Sequence, residues 1–158
     1  MSKITEEMAQ RMRGPVMIAI CTVNENREPF FTRGWGVRAS AGVDTVHCYI
    51  PQILSKRPLQ DLQINTLLAI NAVDATNFQG YQFKGKFLAS DQATAEEEQW
   101  LLDQQRTSGE VVGQFFGAPA GEGWNRFIIT PSVRLTMEVA EVYNQAPGAM
   151  TAEERRLV

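Results

Sequence analysis

Cationic and hydroxyl side chains gather at two places in this sequence where they could hold an anion. The first is Thr32-Arg33-Gly34-Trp35-Gly36-Val37-Arg38, where two arginines interrupt a run of apolar residues and glycine. Glycine weakens a strand, so Gly34 and Gly36 point to a bulge or to a flat ligand lying close to the backbone. The second is Ser55-Lys56-Arg57, at the expected start of a helix. A hydroxyl, two cations and free backbone N–H groups together make a phosphate cradle. A third stretch, Tyr81-Gln82-Phe83-Lys84-Gly85, puts an amide and a cation on one face of a strand. The glycines of Gly117-Ala118-Pro119-Ala120-Gly121-Glu122-Gly123 do not form GxGxxG between a strand and a helix, and they read as a mobile loop.

The chain has a single histidine, His47, so any Ser-His-Asp or Cys-His site must use it. No GxSxG elbow accompanies it. A zinc site would need Cys21, His47, Cys48 and a carboxylate to converge without the usual close ligand pairs. His47 and Cys48 are neighbours in what reads as a strand, so they point to opposite faces. No metal is expected. His47 reads as a half-exposed strand residue facing away from a core pair, Val46 and Cys48.

Composition narrows the function classes. Across 158 residues, 44% hydrophobic and 21% charged is a globular balance, not a disordered one. The net charge of -3, from 15 basic and 18 acidic residues, argues against a protein that works by covering phosphate backbone. The longest apolar run, Val16 to Val23, is too short to span a bilayer. Residues 1–13 do not read as a secretory signal, and the two cysteines make neither a CxxC pair nor a disulfide framework. A cytoplasmic location is the expectation. Residues 1–158 read as one domain, with an N-terminal helix in 1–14 and a tail in 145–158.

The elements that must position these groups follow from periodicity. Ile4, Met8 and Met12 lie on one helical face, which Gly14-Pro15 ends. Val16 to Val23 is apolar on both faces, like a strand covered on both sides. Phe30 to Ala39 reads as the returning strand, and Thr45 to Ile50 completes a meander. A helix over Leu54 to Asn65 should carry Pro58 in its first turn. Leu67 to Val73 and Tyr81 to Ala89 read as strands separated by a turn-rich segment. Thr94-Ala95-Glu96-Glu97 has capping-box spacing and opens a helix through Gln105. Val133 to Tyr143 alternates as a half-exposed strand. Six strands with mostly short links give a mainly β architecture, a small antiparallel barrel with flanking helices.

In order and spacing these stretches resemble the FMN-binding split-barrel family, the relatives of pyridoxamine 5'-phosphate oxidase. The resemblance runs from about Val16 to Val142. It comprises the apolar first strand, Arg33 and Arg38 in the second, Tyr49-Ile50 closing the third, Ser55-Lys56-Arg57 with Asp61-Leu62, and Tyr81 to Gly85. It implies a six-stranded antiparallel split barrel, a homodimer, and one FMN in each of two clefts between subunits. On that resemblance Arg33, Lys56 and Arg57 hold the phosphate with Ser55, and Arg38 sits near the flavin N1/O2 edge or the ribityl chain. Backbone groups of Gly34, Trp35, Gly36, Val37, Tyr49 and Ile50 contact the ring. Gln82, with Gln79 as its competitor, reaches the ring edge. Trp124 and Arg126 stand where an aromatic and a cation cover the flavin from the partner subunit.

The vitamin oxidase itself continues with an arginine and a histidine that grip its substrate. Here the chain ends in Gln145-Ala146-Pro147-Gly148 and a charged tail, with no histidine after His47, so that activity is not expected. Two classes of function remain. One is an FMN-dependent oxidoreductase with a small-molecule substrate or nicotinamide donor; the other is a non-catalytic flavin- or haem-binding module. A deazaflavin-binding relative is a third variant.

Overall fold

The computed structural model describes residues 3–127 and 129–158. Thr5 caps the first helix, α1 (Glu6–Arg11), by accepting from the Met8 amide, and Ile4, Met8 and Met12 are all buried. Strand β1 (Val16–Val23) follows, with Val16, Ile18, Ile20 and Thr22 inside. Its other face is only half covered, and Met17 is 44% exposed. The two-sided apolarity of β1 therefore does not mean two buried faces.

The returning strand is broken into β2 (Pro29–Gly34) and β3 (Gly36–Ala39). Strand β2 pairs with β1, whereas β3 pairs with β4 (Thr45–Pro51). Between them the Trp35 amide donates to Tyr49 O at 3.0 Å. The break raises the strand number from the expected six to seven. With β5 (Leu67–Asp74), β6 (Gly80–Gln92) and β7 (Ser132–Asn144), the sheet order is β2-β1-β5-β6-β7-β4-β3, antiparallel throughout. The two edge strands are consecutive in the chain, so the run through Trp35 curls the sheet into a barrel.

Helix α2 (Gln52–Ile64) starts earlier than its sequence indicates, because the Gln52 amide is anchored to Pro131 O at 2.8 Å. Pro58 consequently lies inside the helix, where it removes the bond to the Leu54 carbonyl. Helix α3 (Ala95–Phe116) has the expected capping box at Thr94 and Glu97 but runs past Gln105. The segment read as a loop holds a further helix, α4 (Ala118–Asn125). Gly109 and Gly113 lie within α3 and serve as contact points for α4. A Cβ on Gly109 would meet the Asn125 side chain at 2.5 Å, and one on Gly121 would meet Gly109 O at 2.5 Å. Thr151 caps a last short helix, α5 (Ala152–Arg155).

The barrel interior is a single apolar cluster containing Ile20, Ile70, Phe83, Leu135 and Met137. A second cluster of Trp35, Tyr49 and Leu101 lies outside the β3–β4 wall, beneath α3. No helix among the described residues is long and apolar enough to cross a membrane.

Candidate functional site

Antiparallel pairing fixes which side chains share a face, and the outer face of β2, β1, β5 and β6 carries one mixed row. Arg33 pairs with Ala19, Ala19 with Asn71, and Asn71 with Gln82. One residue pair along, Phe31, Cys21, Ala69 and Lys84 form the next row. The small residues Ala19, Cys21 and Ala69 make a flat floor between a guanidinium and two amides. Asn71 Oδ1 is buried there and accepts no hydrogen bond. Leaving such an acceptor unpaired costs about 1–3 kcal/mol.

Beside this floor, a cavity of about 320 Å³ opens between β1, β2 and the α3–α4 pair. Met17, Arg33, Trp35, Gln105, Trp124 and Phe127 line it. The Arg33 guanidinium lies over the Phe127 ring, 4.5 Å from its centroid. The indole N–H of Trp124 is buried and donates to nothing. The unused Trp124 donor and Arg33 thus line an apolar space, and the unused Asn71 acceptor lies in the same cross-strand row as Arg33. That set suits a flat ring with both donors and acceptors on its edge, which is the chemistry of an isoalloxazine.

Gly34 and Trp35 also line this cavity, but as buried residues packed against protein, and the remaining sequence candidates fall elsewhere. Trp35 is 4% exposed and its polar groups are taken: Nε1 donates to Ser132 Oγ at 2.9 Å, and its carbonyl accepts from Gln105 Nε2 at 2.5 Å. The two glycines give no open ledge, because protein fills the space. A Cβ on Gly34 would meet Ile18 Cγ2 at 2.8 Å, and one on Gly36 would overlap Leu101. The side chains of Val37 and Ile50 are in the barrel core. Tyr49 is fully buried, and its hydroxyl donates to Glu97 Oε1 at 2.9 Å. Burial, then the Glu97 bond, pushes its phenol upward.

Arg38 does not join Arg33. Its guanidinium lies over Trp100, 4.0 Å from the ring centroid, under α3. Ser55 donates to Gln52 O at 2.8 Å. Because α2 begins at Gln52, its free amides precede Ser55, and the backbone part of the expected cradle shifts toward Ile53 and Leu54. Lys56 is exposed. Arg57 donates from Nε to buried Asp61 at 2.9 Å, with the Phe30 ring centroid 5.5 Å away.

His47 is half-buried, with Nδ1 3.1 Å from Thr136 Oγ1. Burial, assisted by Arg134, lowers its pKa and keeps the ring neutral. Val46 and Cys48 are the core pair, as expected. Burial pushes the Cys48 thiol up to about 12, and burial also raises that of half-covered Cys21. Among the described residues no group of three metal-ligating side chains forms.

Sequence reasoning missed Asn71, Gln105 and Phe127. Asn71 had a signal, as the lone polar residue within the apolar run Leu67 to Val73. Gln105 had none, because its role depends on α3 crossing the barrel.

No protein-family model and no curated protein matches the sequence. Solved structures do match in shape. Group A Streptococcus HupZ is 17% identical with a TM-score of 0.56, over 94% of this chain and 98% of that one. An FMN-binding protein from Syntrophomonas wolfei is 10% identical with a TM-score of 0.55, over 90% and 89%. An F420 reductase is 13% identical with a TM-score of 0.52, over 88% and 98%. At these identities the likeness is one of fold. The architecture implied by the sequence resemblance is therefore present: the chain is a mainly β, antiparallel split barrel of the kind found in FMN-binding, pyridoxamine 5'-phosphate oxidase-like proteins.

Proposed function

We propose that this protein binds FMN on the outer face of β2, β1, β5 and β6, works as a homodimer, and exchanges electrons with a small molecule. The observation that carries the reading is the Arg33–Ala19–Asn71–Gln82 row beside the Trp124 cavity. Arg33 would place positive charge at the electron-accepting ring edge. Asn71 Oδ1 offers an acceptor to a ring N–H, and Trp124 Nε1 and Gln82 offer donors to ring carbonyls. Lys56 and Arg57 remain the cations for the phosphate.

Bound flavin would supply hydride and electron transfer; the chain's part is to orient the ring, tune its charge and exclude water. No general acid or base is required, which agrees with one histidine held neutral on a different wall. The dimer rests on exposure. Met17, Phe31 and Leu67 stand on the same outer face and are 44%, 67% and 59% exposed. A second copy would cover them and close the ligand face, by two-fold symmetry.

Absorption spectroscopy of the purified protein with added FMN tests the reading. A shifted flavin band, bleached by NADH or NADPH under anaerobic conditions, supports a redox enzyme. Uptake without reduction by any donor supports a flavin-binding module instead. Failure to take up FMN, or a haem band in its place, would overturn the flavin assignment.

A further inference from the structure

Of the elements around the Trp124 cavity, helix α4 is the one that the rest of the fold holds least. Gly121 is its sole buried residue. Among the described residues, no hydrogen bond or ion pair joins α4 to the barrel or to α3 beyond the turn at Gly117. The seam between the two helices brings backbone against backbone. A Cβ on Gly121 would meet Gly109 O at 2.5 Å and Gly113 Cα at 3.0 Å. Contact there is through glycine rather than through interlocking side chains, and a groove of about 390 Å³ stays open along the seam.

The chain enters α4 through one residue. Gly117 caps the end of α3 and the start of α4 at φ 95° and ψ 158°, a conformation essentially confined to glycine. Element-terminal residues of this kind absorb the rotation in hinged closures. Just past the far end of α4, Phe127 lies under the Arg33 guanidinium, with 4.5 Å between cation and ring centroid. Arg33 has no carboxylate within 4.0 Å among the described residues, so this contact holds it. Between hinge and latch, Trp124 lines the cavity with its Nε1 buried and donating to nothing. The closed, empty cavity therefore carries an unpaired donor. Opening to water removes that cost, and so does an acceptor on a ligand.

We propose that α4 is a hinged cover for this cavity. It turns about Gly117, is latched by the Arg33–Phe127 pair, and is held shut by a planar molecule whose edge oxygen accepts from Trp124 Nε1. In the open state water satisfies the indole N–H; in the closed state the ligand does, so binding and closure favour each other. Closure also excludes water from the space beside the Arg33 row. Trp124 is the residue through which the ligand sets the position of α4, and a ligand without an edge acceptor would leave the cover loose. That the ligand is a flavin rests on the function proposed above; the movement of α4 does not.

Fluorine NMR of the full chain, grown with fluorinated tryptophan, tests the cover. Trp35, Trp100 and Trp124 give three signals, and Trp124→Phe assigns one of them. Without ligand the Trp124 signal should be broadened by exchange and should shift between water and heavy water. That of Trp35, buried and bonded to Ser132, should stay sharp and unresponsive. FMN should sharpen the Trp124 signal and shield it from solvent, and Trp124→Phe should weaken FMN binding about tenfold. Gly121→Leu, whose side chain has no room at the seam, should hold the Trp124 signal at its solvent-exposed position without moving Trp35. Phe127→Ala removes the latch without touching the seam and should move the signal the same way, even if Gly121→Leu folds poorly. A sharp, shielded Trp124 signal that neither variant moves would overturn the cover. Full FMN affinity in Trp124→Phe would remove Trp124 from the closure. If FMN is not taken up, the flavin reading fails, while the ligand-free spectra still decide whether α4 moves. Menadione, flat with carbonyls on its edge, then replaces FMN as the probe, and a Trp124 signal that it leaves unchanged would overturn the coupling.

Discussion

The phenolic hydroxyl of Tyr49 donates to Glu97 Oε1 at 2.9 Å, tying the outer barrel wall to the first turn of α3. Arg134 completes the junction, with one guanidinium nitrogen 2.8 Å from Glu97 and the other 2.9 Å from Asp91. Glu97 is 7% exposed, so this is a buried charge with three partners: Tyr49, Arg134 and the Thr94 amide. With the Ser132–Glu98 and Gln105–Trp35 bonds it holds α3 against the barrel.

Glu97→Gln should cost about 3 kcal/mol near neutral pH, because it removes the buried carboxylate shared by Tyr49, Arg134 and the Thr94 amide and leaves Arg134 with Asp91 alone. Burial alone would raise the Glu97 pKa, but the Thr94 amide, Arg134 and Tyr49 overcome it and bring the carboxyl down to about 2. A folded pKa below the ordinary 4.5 means the stabilisation is complete above that value and fades as pH falls toward 2. Urea melts should show the gap between wild type and Glu97→Gln shrinking across that window. A gap independent of pH there would show that the carboxylate charge is not what holds the junction.

Backbone crowding separates two glycine substitutions. A Cβ on Gly85 would overlap the Glu138 carbonyl oxygen across the bulged β6–β7 pair. A Cβ on Gly36 would overlap only the terminal carbon of Leu101, which can change rotamer. Thermal denaturation should find Gly85→Ala the worse of the two, with about 2–3 kcal/mol lost. Equal losses would mean that α3 cannot yield at Leu101.

Phosphate contact distinguishes FMN from riboflavin. Lys56→Ala should lower FMN affinity by roughly ten- to a hundredfold while riboflavin binds unchanged. Arg57→Ala should do the same and also destabilise the fold, because Asp61 is 3% exposed and loses its cation. Equal weakening for both flavins would remove these side chains from the phosphate.

Leu67→Glu should convert the dimer to a monomer by sedimentation and lower FMN affinity with it. Cys21 reports the same event, because its thiol lies on that outer face while Cys48 is fully buried. Maleimide should label Cys21 in Leu67→Glu, spare it in the wild-type dimer, and reach Cys48 only on unfolding. A wild-type protein that sediments as a monomer with full FMN affinity would defeat the assembly.

Local pattern made most of the barrel legible in the sequence. Strand β1, the Thr94 capping box and the Val46–Cys48 core pair all announce themselves through spacing of two or three residues. The break at Trp35 did not, because it depends on Tyr49 O capturing one amide from across the barrel. For the same reason Arg33 and Arg38 looked like one constellation. A continuous strand would have kept both beside one neighbouring strand, though on opposite faces at a spacing of five, but the switch of pairing from β1 to β4 sends them to different walls. The extension of α3 past Gln105 was not legible either, since nothing local distinguishes a glycine such as Gly109 that lets another helix approach from one that stops a helix.

The sheet order also sets a timetable for synthesis. Strand β4 ends at Pro51 but acquires its second neighbour only from β7, which ends at Asn144. A ribosome adding about 5–20 residues per second must work for a time on the order of 5–20 s before that partner exists. Until then β1, β2, β5 and β6 can pair as one open sheet and β3–β4 as a separate hairpin, with Val46, Cys48 and Ile50 lacking their neighbours in β7. A nascent chain stopped before Ser132 therefore cannot close, and its unpaired β4 and β6 margins are what a chaperone would meet.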